Sequence, residues 1–151
     1  SKAQRVFGRQ ETFDVEDKEV MLNLIKNPVG FNQIVQLLSY EKESFSLGVL
    51  LNDNPADGQD VSWIWDGDFE GLHSLNAVDT AIIGIRVEDL GVRMEVAGFE
   101  NIKVFKTNAE LIDWIRKAPT NKVNVLATYT ALLDLRKDFA KEGYLKEGMN
   151  G

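Results

Sequence analysis

The sequence predicts an α/β domain, with a mostly parallel sheet of five to six strands and helices on both faces. Three observations predict it. Short apolar, strand-like runs alternate with segments of helical apolar spacing almost without exception, the pattern of parallel strands joined by right-handed crossovers. At 151 residues the chain is one domain by length, large enough for a single well-filled core. Apolar residues at 44% and charged residues at 27% are ordinary for a soluble globular fold, so a packed sheet-and-helix core is within its means.

Residues 1–18 are polar without a sustained period and read as a linker or edge element. Their opening, SKAQRVFGRQ, lacks an initiator Met and reads as a cut inside a longer chain. The first strand is predicted at 19–25, in EVMLNLI. Asn27-Pro28 breaks it, and Phe31, Ile34, Val35 and Leu38 then recur at helical spacing. A second strand is predicted at 44–52 and a third at 80–86. A helix follows the third, with Leu90, Met94 and Ala97 on one face and Gly98 as its C-cap. The fourth strand is predicted at 102–106. Asn108 is placed to cap the next helix, whose apolar stripe is Leu111, Trp114 and Ile115, with Pro119 beyond its end. The fifth strand is predicted at 122–128, and an amphipathic helix closes the domain near residue 144. Arg136 and Lys137 read as its solvated face. Residues 145–151 read as a flexible tail. This is a Rossmann-like order of elements.

Charge and composition exclude several classes of function. A net charge of −7 argues against sequence-independent attraction to nucleic-acid phosphate. There is no polybasic patch for lipid headgroups. The absence of cysteine removes a disulfide framework, a thiolate zinc site and a cysteine nucleophile from this chain, and fits a reducing compartment. No apolar run approaches the roughly 20 residues a membrane helix needs.

In open parallel sheets, ligands and partners gather outside the carboxyl ends of the strands. The segments there are Lys26-Asn27, the loop 53–70, Arg86, Lys106-Thr107 and Thr128-Tyr129. The loop stands out. LNDNPADGQDVSWIWDGDFE (51–70) places Asp53, Asp57, Asp60, Asp66, Asp68 and Glu70 around Trp63 and Trp65. Long ordered connections at this edge are usually functional. The bland alternative is that the acids cap turns and that Trp63 and Trp65, in alternation, point inward from a short strand.

Common site chemistries fail residue by residue. The first strand-to-helix turn, KNPVGFNQ, has one glycine where a dinucleotide site needs G-x-G-x-x-G, and no Walker A loop occurs. Asp53, Asp57 and Gly58 match three positions of a calcium loop, but Pro55 and Ile64 occupy two ligand positions. Lys26-Asn27 is the opposite of a phospho-receiver's acidic pair. His73 has no motif around it and reads as a surface or helix-edge residue. No metal site is predicted.

DGQDVSWIWDGDFE, KNPVGFNQ and LATYTALLDLRK together resemble the C-terminal domain of the MurT proteins, from about FGRQE to YTALLDLRK, nearly the whole chain. More distantly, GRQE and a strand ending in Asn-Pro are similar to the last domain of Mur ligases and folylpolyglutamate synthases. In those relatives an acidic or His-containing turn stands where this chain has Lys26-Asn27-Pro28, so their catalytic role at that turn does not transfer. The resemblance implies a Mur ligase C-terminal-like fold spanning 19–144, with 1–18 leading in from an ATPase domain. It implies a part in lipid II isoglutaminyl synthase: ATP-dependent amidation of the D-glutamate α-carboxyl of the stem peptide, in peptidoglycan synthesis of Gram-positive bacteria.

ATP and Mg²⁺ would belong to a middle domain outside this chain, and no cofactor to this one. The partner implied is GatD, a glutamine amidotransferase subunit with a Cys and a His. This domain would supply the aspartate of a shared triad, at the cytoplasmic face of the membrane and without inserting into it. By motif position the acid is Asp60, with Asp57 and Asp66 in reserve. Trp63, Trp65, Asp66 and Asp68 would face the partner, and Lys26, Asn27, Arg86, Thr128 and Tyr129 would line a substrate edge. Two other classes stay open at this point: a nucleotide- or peptide-binding α/β domain, and a purely structural interaction module.

Overall fold

The structure, a computed structural model, describes residues 10–146 together with the backbone of residues 4–6. Its strands are β1 (Gln4–Val6), β2 (Gln10–Val15), β3 (Lys18–Leu24), β4 (Phe45–Leu50), β5 (Asp79–Ile83), β6 (Lys103–Val104) and β7 (Lys122–Ala127). The helices are α1 (Pro28–Ser39), α2 (Phe69–His73), α3 (Val87–Ala97), α4 (Asn108–Arg116) and α5 (Tyr129–Lys141). One sheet contains all seven strands in the order β1-β2-β3-β7-β4-β5-β6. The five strands from β3 to β6 in that order are parallel, as predicted.

The sheet separates two apolar layers because strand side chains alternate faces. On one side α4 and α5 bury Leu111, Trp114, Leu135 and Phe139 against Val20, Leu22, Val123 and Val125. On the other α1, α2 and α3 bury Phe31, Val35, Phe69, Leu90 and Met94 against Leu47, Val49, Ile82 and Leu126. β7 lies between β3 and β4, and the chain leaves it toward α5, on the opposite face from α1. The connections leaving β7 and its neighbour β3 therefore diverge to opposite faces, which creates the crevice where a site forms.

Several local expectations change. The polar lead-in holds strand β2, paired antiparallel with β3 and with Glu11, Phe13 and Val15 buried. That alternation has period two, and it is masked in sequence by a buried glutamate. Glu11 tolerates burial because Arg136 of α5 reaches it through two hydrogen bonds, of 2.7 and 3.0 Å. Arg136 is thus not a solvated residue but a tie between the last helix and β2. Leu145, placed in the flexible tail, is buried in the core, whereas residues 147–151 of that tail lie outside the described residues. Helix α1 begins at Pro28, since proline fits the first helical position and Asn27 caps it. The cap of α4 is Thr107, not Asn108: Thr107 and Glu110 form a capping box, and Asn108 instead donates to Asp138.

β5 stops at Ile83, short of the predicted 86. Gly84 takes φ +134°, and a Cβ there would lie 2.3 Å from the Leu51 carbonyl oxygen. This close approach lets Leu51 accept from Arg86 N and steers the chain out over the β4 loop. Gly98 is the left-handed C-cap of α3, as expected.

Candidate functional site at the carboxyl edge of the sheet

Along the carboxyl edge the chain brings together the turn after β3 (Lys26-Asn27), the start of α5 after β7 (Thr128-Tyr129), the loop after β4 (51–70) and Arg86 after β5. Polar side chains lock the crevice between β4 and β7. Asn52, buried, donates to Thr130 Oγ1 at 3.0 Å and accepts from Ile85 N at 2.9 Å. Asp57, also buried, closes the first 3₁₀ turn (Pro55–Asp57) onto α5. Its carboxylate accepts from Thr130 N at 2.7 Å, Thr130 Oγ1 at 2.6 Å and Asn54 N at 3.0 Å. Both oxygens are committed, so Asp57 joins the loop to the N-terminus of α5, where a negative charge is favoured.

Three residues on, Asp60 caps the second 3₁₀ turn (Val61–Trp65), accepting from Ser62 N at 2.9 Å. It is exposed, and bonds from the Ser62 side chain and backbone hold its carboxyl below the ordinary range, so it is ionised near neutrality. Its Oδ1 is fixed to the backbone. Val61 and Ile64 of this turn enter the core, and Trp63 packs half-buried against Phe31 at 6.0 Å between centroids. Trp65 is on the outer side and 49% exposed. The alternation of the two indoles is therefore not that of a strand. A 3₁₀ turn places them on different sides, one anchored and one presented.

The outer part of the loop is held by a residue the sequence reading passed over. Arg93 of α3 is only 3% exposed. It donates to the carbonyl oxygens of Ile64 (2.7 Å) and Gly67 (2.9 Å) and to both oxygens of Glu70 (2.9 and 2.8 Å). Its guanidinium lies over the rings of Trp65 (5.2 Å) and Phe69 (4.9 Å). Arg93 thus fills the inside of the acidic loop with a planar cation, and Glu70, drawn to it, is held down to about 2. The signal was present: Arg93 sits in the same helical stripe as Leu90, Met94 and Ala97, where a charge needs a partner. Thr130 and Asn52 gave no such signal.

The other predicted residues divide. Asp68 caps α2 through Gly71 N, and its own N–H donates to Asn32 of α1 at 2.8 Å. Asp66 is exposed at the end of the second 3₁₀ turn. Arg86 bridges Asp53 (3.0 Å) and Asp89 (2.6 Å), and those bonds raise its pKa further above its ordinary value. Asn27 is engaged as the α1 cap. Thr128 is buried, with Oγ1 accepting from Asn52 N. Lys26 and Tyr129 remain exposed on the rim. His73 is exposed and edge-on to Phe99, as the sequence suggested. Among the described residues no group of three or more His, Asp or Glu is arranged to hold a metal ion, and no helix is long and apolar enough to cross a membrane.

The arrangement is a rigid carboxylate-bearing promontory. The MurT ligase C-terminal family matches residues 24–132, which contain the whole of it. The chain is 40% identical over 151 residues to the MurT subunit of the glutamine-hydrolyzing lipid II isoglutaminyl synthase of Streptococcus pneumoniae, covering 99% of this chain and 34% of that protein. It is 36% identical over 112 residues to the MurT subunit of Staphylococcus aureus, covering 71% and 26%. The chain thus spans about a third or less of these relatives' length. In fold it is similar to folylpolyglutamate synthase of Thermotoga maritima (TM-score 0.59, 20% identity, 95% of this chain and 32% of that one). It is also similar to UDP-N-acetylmuramate-alanine ligase MurC of the same organism (TM-score 0.51, 10% identity, 87% and 28%). With most of its length matched by the family, and with relatives that carry the same name, this chain belongs to the MurT ligase C-terminal family.

Proposed function

We propose that this domain docks the glutamine amidotransferase subunit GatD of a lipid II isoglutaminyl synthase and lends Asp60 to that subunit's Cys–His site. The observation that carries the choice of acid is the contrast between Asp57 and Asp60. Asp57 is buried with both oxygens bonded inside the domain, whereas Asp60 is exposed, ionised and held at Oδ1 by a backbone cap. A carboxylate so placed holds an imidazole N–H in one tautomer and stabilises the imidazolium that forms when a thiol is deprotonated. Asp66 is exposed too, but its side chain is not fixed to the backbone by a cap. Trp65, presented beside it over Arg93, is the aromatic anchor for the docked surface.

In this reading the cysteine of GatD releases ammonia from glutamine. The ligase part of the full protein, with ATP and Mg²⁺ bound outside this chain, activates the D-glutamate α-carboxyl of the stem peptide at the cytoplasmic face of the membrane. The domain alone turns over nothing. Asp60→Asn in the full complex tests the role of the acid. Complex formation is expected to persist, while glutamine-dependent amidation falls between about 10²- and 10⁴-fold and ammonia supplied directly restores it. Loss of ammonia-dependent turnover as well, or full glutaminase activity, refutes the assignment. Full activity in Asp60→Asn with loss in Asp66→Asn moves the role to Asp66.

A further inference from the structure

Asp60 stands at the N-terminal end of the five-residue 3₁₀ turn Val61–Trp65, which it caps. Its carboxylate is bonded within that turn, to Ser62, so its place and direction follow those of the turn. A 3₁₀ run of this length is uncommon and its own hydrogen bonds are poorly aligned, so its orientation has to be set from outside. Val61 and Ile64 enter the core, and Trp63 packs on Phe31. These contacts fix how deep the turn sits. Apolar burial is non-directional, however, and leaves rotation about the turn axis weakly specified.

Directional bonds come from α3. Arg93 Nε donates to Ile64 O at 2.7 Å, inside the turn, and Nη2 donates to Gly67 O at 2.9 Å, two residues past its end. Glu70 sets the plane of the guanidinium by accepting from Nη1 at 2.9 Å and Nη2 at 2.8 Å. The fork is rigid, so with its plane set both carbonyls are fixed in distance and angle relative to α3. That helix is itself seated on the sheet through Leu90 and Met94. Contact therefore runs from the sheet, through α3 and Arg93, to the far end of the turn that begins at Asp60. A buried ion pair is often no more stabilising than apolar side chains of the same volume. Direction is what an apolar side chain at position 93 would not supply.

We propose that Arg93 is a positioning residue for Asp60: it sets the orientation of the turn, and hence of the carboxylate offered to the partner's imidazole. Its own bonds go to the loop carbonyls and Glu70, so it acts through the turn. The inference rests on the role proposed for Asp60. A displacement of about 1 Å at a reacting group lowers turnover by about 10²-fold. Holding the turn within about 0.5 Å thus has a kinetic consequence separate from stability.

Arg93→Lys and Asp60→Asn, singly and combined in the full complex at saturating partner concentration, test the inference. Arg93→Lys keeps the charge and loses the fork. With folding verified by circular dichroism, glutaminase turnover is expected to fall about 10- to 100-fold, while amidation driven by added ammonia changes by less than about twofold. In the Asp60→Asn background the same change should lower turnover by less than about a further twofold, because no carboxylate is left to place. An arginine that only stabilises the fold gives losses that multiply instead. That result overturns the inference, as does an equal loss of ammonia-driven amidation. Normal turnover in Arg93→Lys beside a loss in Asp60→Asn overturns the positioning role and leaves the acid in place. Normal turnover in Asp60→Asn removes the acid, and this inference with it. Should Arg93→Lys fail to fold, Glu70→Ala replaces it: that side chain is mostly exposed, and its loss frees the guanidinium to turn. A fall of at least about threefold is then expected, again absent in the Asp60→Asn background, and multiplying losses there overturn the inference too.

Discussion

Replacing Arg93 by methionine keeps the apolar length of the side chain and removes its donors. Two buried carbonyl oxygens, of Ile64 and Gly67, would then lose their hydrogen bonds to Arg93. A buried polar group left unsatisfied is unfavourable by about 1–3 kcal/mol. The guanidinium also lies over Trp65 and Phe69, adding about 0.5–2 kcal/mol. The Glu70 carboxylate is mostly exposed, so it rehydrates when its partner is lost and adds little. Two carbonyls at that figure together with the stacking give about 2.5–8 kcal/mol, large beside a domain's whole stability of about 5–15 kcal/mol. Urea unfolding at neutral pH, followed by tryptophan fluorescence, measures it. Arg93→Lys should recover only part, because one ammonium cannot replace a planar fork that serves two carbonyls and a carboxylate at once.

The acid limb adds a signature. Glu70 is depressed from 4.5 to about 2, so its contribution is present above the unfolded value and is lost as pH falls through about 2. The wild-type domain should therefore lose an extra increment of stability between those two values, and Arg93→Met should lack it. A loss below about 1 kcal/mol for Arg93→Met, the range of an ordinary surface change, refutes the clamp.

Asp57→Asn sets an amide N–H₂ against the donors of Thr130 and Asn54, so a loss of about 1–3 kcal/mol is expected by denaturant titration. An unchanged midpoint shows that Asp57 is not the closing residue of the loop. Gly84→Ala forces a Cβ onto the Leu51 carbonyl at a left-handed φ, and a fall of about 2 kcal/mol or more should appear in thermal unfolding. Trp65→Ala, on a half-exposed ring, should change the stability of the isolated domain by less than about 1 kcal/mol while weakening capture of the amidotransferase subunit proposed as its partner by ~2 kcal/mol or more. Equal capture by titration calorimetry makes the ring a bystander.

The five parallel strands, the helices α1, α3, α4 and α5 and the position of the acidic loop were legible in the sequence, because each rests on a local quantity; the short α2, inside the long connection between β4 and β5, was not. Apolar period, Asn27-Pro28, and the glycine at Gly98 act within a few residues of themselves, and the alternation of strand and helix then fixes which strand ends share an edge. The loop motif also carried the family. What only the tertiary structure decided is which partner each polar side chain meets. Asp57 and Asp60 are both aspartates in turns, three residues apart. Asp57 is bonded through both oxygens inside the domain because Thr130, seventy-three positions later, reaches it across the β4–β7 crevice. Glu11 hides the period of β2 because its partner, Arg136, is on the last helix. Arg93 and Glu70 likewise meet only after α3 folds over the loop. A charge can be buried only where a partner arrives from elsewhere in the chain, and a sequence read locally shows the charge without the partner.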